Sequence, residues 1–352
     1  MSKVRIGVIG AGVWATTSHL PTLMKRVNEI EMIGVCRKGE HELKQVSEQF
    51  NFKVASENYL DILDAQIDLC IVASPVSFHY EHAKAALESG AHVLIEKPVT
   101  ISPEDAWDLV ELAKSLNRHV VVAFGWNHLS TYRKAQELWG EEGVGAIEHA
   151  MIHMCSGIRE LLLGTSLSST GNPQDVVDTQ TWTNPKISGG GYGQAQLSHA
   201  LAWMLGITGL RTESAFCFAG GPIEKTVELH DAISLRFVGG ASGSVSGASA
   251  HASQGIRHQM EYRVFGSEGQ MHADLERDRL SFWRNNEDLK VPELSIDAGS
   301  YNCEGPPLAL LDLILGRTEK NLSPIDLGAK TVETLAAIYK SIESGLPEKV
   351  IQ

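Results

Sequence analysis

The first fifteen residues confine this chain to few folds. Val4–Ile9 is a short apolar run. It leads into Gly7-Val-Ile-Gly10-Ala-Gly12-Val-Trp-Ala15, and a polar–apolar helical stretch follows around Ser18 to Val27. The residue types in G-x-G-x-x-A each have a job. Gly10 permits a tight turn out of a strand, Gly12 lets the backbone approach a ligand closely, and Ala15 lets helix and strand pack. A helix opening here offers its first unpaired N–H groups, at Val13 and Trp14, to an anion lying over the turn. After a strand and at the head of a strand–helix–strand unit, the pattern predicts a dinucleotide pyrophosphate site; alone it is also compatible with a structural glycine turn.

The alternation continues. Strand-like runs lie at Glu31–Val35, Leu69–Ala73, His92–Ile95 and Val120–Phe124. Between them, helices are expected at Glu40–Gln49, at Tyr80–Ser89 stopped by Gly90, and at Ser102–Leu116, which opens with a capping serine and Pro103. Near-continuous apolar strands alternating with helices predict a doubly wound parallel sheet, covered on both faces, over residues 1–125. Beyond Gly125, strand runs follow one another with glycine turns between them: Ala146–His153, Arg211–Phe218, Thr226–Phe237, Ser242–Ser249, Gln259–Phe265 and Gln270–Leu275. Helical texture returns at Ser198–Leu205, Pro307–Leu315 and Asp326–Ser344. Residues 126–352 are therefore read as an α+β domain with a large, mainly antiparallel open sheet, serving substrate binding and oligomerisation. The long polar segment Gly157–Ser188 is read as a functional or mobile loop.

Bulk properties narrow the function. The 352 residues suit two domains, and the formal net charge of -13 disfavours nucleic acid or an anionic membrane surface as partner. Cys36, Cys70, Cys155, Cys217 and Cys303 form no CxxC pair and are read as small apolar residues in a reducing compartment. The start does not read as a signal peptide, and no apolar run has the length of a membrane span, so a cytoplasmic protein is expected. No spacing of His and Cys suggests a metal, and none is expected.

The second strand ends in Cys36-Arg37-Lys38, with no carboxylate to hold the adenosine ribose. Arg37 and Lys38 there suit a 2′-phosphate, making NADP the first choice; NAD stays open because an arginine can also stack on adenine, and so does a merely solvated pair. The fourth expected strand ends in Ile95-Glu96-Lys97-Pro98. Ligands of such sheets lie beyond the carboxyl ends of the strands, where a lysine can donate to a substrate oxygen or move a proton. A surface Glu–Lys pair is the bland alternative.

Glu96-Lys97-Pro98 resembles the signature of the Gfo/Idh/MocA oxidoreductases. The resemblance extends to Ala73-Ser74-Pro75 with His79, to Gly90 and His92-Val-Leu before the Glu-Lys-Pro, and to Asn127. It continues through Trp182, Pro185, Ser188-Gly189-Gly190-Gly191, His199 and Trp203 to the tail Pro324–Gly345. The resemblance implies a Rossmann domain joined to an open antiparallel-sheet domain, with the active site between them. It implies cofactor contacts at Gly10, Gly12, Val13, Trp14, Arg37, Lys38, Ser74, Pro75, His79, Glu96 and Lys97. Lys97 would bind the reacting hydroxyl, and His199 would serve as acid/base or orient the substrate. Asn127, Tyr192, Gln194 and Gln196 are the expected substrate contacts, and the substrate a sugar, sugar derivative or polyol.

One departure matters. The family often carries an aspartate four residues before the histidine, and here that position is Ala195. Gln194 or Gln196 can bond a sugar hydroxyl in its place, and Tyr192 can act as an acid or a stacking surface. The departure keeps two other readings open. One is a nicotinamide-dependent glycoside-cleaving enzyme that oxidises a sugar transiently and eliminates the aglycone; the other is a catalytically silent sensor. His153, Arg159, Asp175, Asp178 and His251 are further polar candidates, read mainly as surface or loop residues. A homodimer or homotetramer is expected, because a broad sheet needs covering.

Overall fold

The computed structural model describes residues 3–165, 177–222, 226–252 and 257–350. Two units emerge. The first holds the chain up to Gly125 together with Val177 and Cys303–Ala329, and the second holds the other described residues from Trp126 to Asn302 and those from Lys330 onward.

In the first unit six parallel strands run in the order β3-β2-β1-β4-β5-β6. They are β1 (Val4–Ile9), β2 (Ile30–Cys36), β3 (Val54–Ser56), β4 (Leu69–Val72), β5 (His92–Ile95) and β6 (Val120–Val122). The central strands are buried on both faces, as their unbroken apolar sequences require. Helices α1 (15–24), α2 (Glu40–Phe50), α3 (Tyr59–Leu63), α4 (His79–Glu88) and α5 (Pro103–Ser115) alternate with the strands. Helix α1 opens with a π-turn over Ala15–His19. Helix α5 starts where its cap predicts, with the Ser102 hydroxyl accepting from the Asp105 amide at 3.2 Å. Strand β3 and helix α3 carry too little apolar periodicity to be read from sequence. The chain direction along the sheet reverses between β1 and β4, which sets the binding crevice at their carboxyl ends.

Residues 303–329 correct the expectation that everything beyond 125 builds the second domain. Helix α6 (Gly305–Ile314) belongs to the first unit. The segment after it seals the β6 edge: the Val122 amide donates to the Ser323 carbonyl at 2.8 Å, Asn321 Nδ2 donates to the Val120 carbonyl at 2.8 Å, and Val121 pairs antiparallel with Pro324. An unsealed edge would leave a row of unpaired backbone groups.

The second unit is built on eight strands in the order β13-β12-β11-β7-β10-β9-β8-β14. They are β7 (Ile147–Ser156), β8 (Thr212–Gly220), β9 (His230–Phe237), β10 (Ser242–Ser249), β11 (Gln259–Gly266), β12 (Gly269–Asp274), β13 (Arg279–Arg284) and β14 (Glu348–Lys349). Only the β7–β10 pair is parallel, so the sheet is mainly antiparallel, as expected. Strand alternation gives it one buried face, with Ile152, Met154, Ile233, Val245, Tyr262 and Met271 among its residues. Helix α7 (193–208, with a π-turn over Gly193–Leu197) is apolar nearly all round and buried; it packs on β7. The opposite face is half-exposed and carries Phe218 at 71% exposure. Helix α8 (Ile325–Ser344) begins among residues of the first unit and ends among those of the second.

Candidate active site

The residues expected to act fall into two groups, one in each unit. The first gathers at the carboxyl ends of β1, β2, β4 and β5. Gly10 holds φ +87°, and its amide donates to the Cys36 carbonyl at 2.9 Å, pinning the turn to the end of β2. A Cβ at Gly10 would run into the Ser74 backbone, whereas one at Gly12 would meet nothing within 4 Å. The room in front of Gly12, at the start of a helix, is the cradle a pyrophosphate needs, so the turn fits a dinucleotide. Ala15 is fully buried, and Trp14 beside it is 45% exposed. Arg37 Nη1 donates to the Ala11 carbonyl at 2.9 Å, which keeps the guanidinium against the turn. Lys38 is exposed, 3.9 Å from Glu57.

Ser74 follows β4, and its hydroxyl lies 2.8 Å from His82 Nδ1; Pro75 precedes a 3₁₀ turn over Val76–Phe78. His79 is buried rather than turned to the crevice. Its Nδ1 lies 2.9 Å from the Pro98 carbonyl and its Nε2 2.7 Å from the Ser74 carbonyl. The ring therefore tethers the segment after β4 to the segment after β5. Burial pushes its pKa down, while the two carbonyls pull the other way.

The Lys97–Pro98 peptide is cis. Glu96 reaches the fully buried His19 at the end of the π-turn, Oε1 to Nε2, at 2.7 Å. Burial pushes the Glu96 carboxyl up, but the His19 hydrogen bond and the nearby Lys97 charge outweigh it, leaving the group below its usual range. The half-buried Lys97 ammonium is pushed below its ordinary value by burial, against the pull of Glu96 and Cys303. A lysine so placed gives up a proton more readily than one in water. Cys303 completes this cluster: ligand atoms of His19, Glu96 and Cys303 lie within 4.8 Å of one another, near enough for a divalent ion. No sequence spacing hints at the trio, because its members are brought together from β5, α1 and the stretch before α6.

The second group surrounds the start of α7. Gly189 holds φ +82°, and Gly190 has no room for a side chain against the Tyr339 ring. Glu228 takes the exposed amides of the turn: Gly191 N and Gly193 N each donate to its carboxylate at 3.0 Å, and the Tyr339 hydroxyl donates to it at 2.6 Å. The Gln194 amide donates to the Tyr339 hydroxyl at 3.0 Å. The glycine run is thus the socket for a carboxylate of this same chain, which fixes the helix that carries His199. Neither Glu228 nor Tyr339 has a sequence signal, since both reach the turn through tertiary contact.

Tyr192 is fully buried; its hydroxyl donates to the Met154 carbonyl at 3.1 Å and accepts from Ser156 Oγ at 3.2 Å, and burial pushes its pKa up. Gln194 is buried with Oε1 lacking a partner, while Gln196 and Ala195 are half-buried. Asn127 is buried, with Nδ2 donating to the Ala202 carbonyl at 3.3 Å. His199 is 2% exposed. Its ring lies 5.6 Å from Tyr301, which sits 4.9 Å from Trp126 and 6.0 Å from His258. These three rings were not singled out from sequence.

Of the other polar candidates, His153 faces Ser246 at 3.0 Å, and His251 pairs with Glu160 at 2.8 Å. Asp178 accepts from the Gln180 amide, and Arg159 opens a short helical turn, Arg159–Leu162. Asp175 lies outside the described residues. The cysteines are free thiols; Cys36, Cys70, Cys217 and Cys303 are buried. Among the described residues no helix is long and apolar enough to cross a membrane.

Residues 4–124 match the Gfo/Idh/MocA model, described as an oxidoreductase family with an NAD-binding Rossmann fold. The chain is 34% identical over 128 residues to D-glucoside 3-dehydrogenase of Escherichia coli, covering 36% of each chain. It is 33% identical over 149 residues to glucose-6-phosphate 3-dehydrogenase of Bacillus subtilis, 42% of this chain and 41% of that one. The match thus spans well under half of these relatives' length. An oxidoreductase domain protein from Kribbella flavida superposes over the whole of both chains with a TM-score of 0.81 at 19% identity, a likeness of fold.

Proposed function

Since the chain belongs, by residues 4–124, to the Gfo/Idh/MocA oxidoreductases with their NAD-binding Rossmann fold, we propose that it moves a hydride between a nicotinamide cofactor and a secondary carbinol carbon of a sugar, sugar derivative or polyol. The observation that carries this reading is the Glu96-Lys97-Pro98 segment. It stands at the end of β5, in the same sheet as the Gly10 turn, with Glu96 held by His19 and the segment tethered by His79. In the oxidation direction the carbinol C–H leaves with its electron pair, the O–H proton leaves to a base, and C=O forms. When bound, the nicotinamide supplies the hydride acceptor. Lys97 binds the hydroxyl oxygen and steadies its developing negative charge. His199 takes the proton or orients the ring that gives it up.

Arg37, held against the turn with no carboxylate at the end of β2, supports NADP over NAD. A homo-oligomer is part of the proposal, with the half-exposed sheet face around Phe218 covered by a second copy. The absence of a carboxylate at Ala195 favours one competing reading, glycoside cleavage.

Calorimetry with NADP and NAD, then a screen of sugars and polyols by reduced-cofactor absorbance, tests the proposal. Lys97→Ala is expected to slow turnover by about 10²–10⁴-fold, far more than it weakens nucleotide binding. Arg37→Asp is expected to move the preference toward NAD. Absence of affinity for both nucleotides would sink the reading; aglycone release without net cofactor reduction would replace it with glycoside cleavage.

A further inference from the structure

We propose that Tyr301 and His258 form, beside His199, an uncharged aromatic subsite that takes the C–H face of a neutral sugar or cyclitol ring. This rests on the oxidoreductase reading and narrows its substrate.

Four rings from four separate segments converge in the second unit: Trp126 after β6, His199 on α7, His258 at the head of β11 and Tyr301 after β13. Tyr301 is at their centre. It meets His199 edge-on at 68° and 5.6 Å, meets His258 edge-on at 86° and 6.0 Å, and rests on Trp126 at 4.9 Å. Trp126 also meets His258 edge-on at 6.1 Å. Such packing fixes each ring plane by its quadrupole as well as its area. Trp126 and His199 are 1% and 2% exposed, while Tyr301 and His258 are only half-buried. The two half-buried rings thus keep part of their surface exposed, and Tyr301 packs on the histidine expected to act on the substrate.

Charge decides what that surface accepts. Ala195 brings no carboxylate to the turn before His199, and Gln194 and Gln196 are neutral. Burial pushes His258 below its ordinary pKa, which favours the neutral ring. Arg257, next in the chain, is committed: it donates to both oxygens of Asp278 at 2.8 Å and to the Leu275 carbonyl at 2.8 Å. A phosphate or carboxylate against this wall would lose water without gaining a counter-charge. A pyranose or cyclitol has an apolar face of C–H bonds, which packs on aromatic rings through area burial and weak C–H contacts.

The test loads the protein with whichever of NADPH and NADH it binds more tightly, and measures binding of methyl β-D-glucopyranoside, myo-inositol, glucose 6-phosphate and glucuronate by saturation-transfer NMR and calorimetry. Saturation is expected to pass from aromatic protons to ring C–H protons of the neutral compounds, which bind at least tenfold tighter than the two anions. Tyr301→Ala is expected to weaken neutral-ring binding at least tenfold with affinity for the loaded nucleotide within twofold, and Tyr301→Phe to stay within threefold of the parent. Should the alanine variant not fold, Tyr301→Leu keeps the bulk and carries the same expectation. Unchanged affinity in the Tyr301→Ala or Tyr301→Leu protein, tighter binding of the anions, or no neutral ring bound overturns the subsite. Failure to bind NADPH and NADH alike removes the oxidoreductase reading and the subsite with it; nucleotide bound with the anions preferred removes the subsite alone.

Discussion

At Gly10 the backbone turns at φ +87° with the Ser74 backbone pressed against it; at Gly12 the space is open. The two glycines therefore answer to different demands. Gly10→Ala combines a left-handed turn with a backbone collision, and is expected to cost about 2–3 kcal/mol of stability. Gly12→Ala meets no atom of the protein and should leave the urea midpoint unchanged. Its methyl would occupy the place of the pyrophosphate, so nucleotide affinity should fall at least about tenfold, roughly 1.4 kcal/mol. A Gly12→Ala protein that binds nucleotide as tightly as the parent would remove the turn from the cofactor site. His79 adds a role that its motif position does not show: its ring is buried between the Ser74 and Pro98 carbonyls and tethers the two segments.

Strand β9 carries an unusual burden. Asp231 is 4% exposed, with Cys217 Sγ 3.9 Å from Oδ1 and, among the described residues, no hydrogen-bond partner at Oδ2. Burial, reinforced by the Glu228 charge, pushes its pKa up to about 8. The folded protein therefore keeps this proton across a window, from about 4 to about 8, in which the unfolded chain has released it. More protons bound in the folded state means that stability falls as pH rises through that window. The contribution is full below the unfolded pKa and gone above about 8. Asp231→Asn keeps the neutral shape and should flatten the slope, gaining on the order of 2 kcal/mol over the parent at pH 8. Urea midpoints at pH 5 and pH 8 check this; equal slopes in parent and variant would show that Asp231 does not stay protonated. The same carboxylate neighbourhood matters to α7, because Glu228 also bonds the Gly191 and Gly193 amides that start it.

On the scale of the whole molecule, the stretch that returns to the first unit late in the chain is what finishes its sheet. Ser323 both accepts from the Val122 amide and donates from Oγ to the Val122 carbonyl at 2.7 Å, and Asn321 bonds the Val120 carbonyl. Asn321→Ala is expected to cost about 1 kcal/mol and to lower the thermal midpoint of the first unit, with nucleotide added to identify that unit by its ligand-induced shift. The uncovered sheet face gives a second expectation. If the second copy proposed above covers that face, Phe218→Lys is expected to dissociate it, read by sedimentation velocity; an unchanged species distribution would place any oligomer contact elsewhere.

The sequence by itself determined the parallel sheet, its glycine turn, the mainly antiparallel second sheet and the Glu96-Lys97-Pro98 segment. Each is a local matter: strand and helix periods differ, glycine alone takes Gly10's turn cheaply, and a short motif after an apolar run marks a strand end. Only the tertiary structure decided that residues 303–329 join the first unit and that Glu228 and Tyr339 hold the glycine run. It also decided that His19 and Cys303 flank Glu96, and that Tyr301, His258 and Trp126 surround His199. These partners lie tens to hundreds of residues apart and carry no shared period or spacing. What joins them is the filling of space and the pairing of polar groups once the sheets have formed, and no local pattern in the chain encodes that.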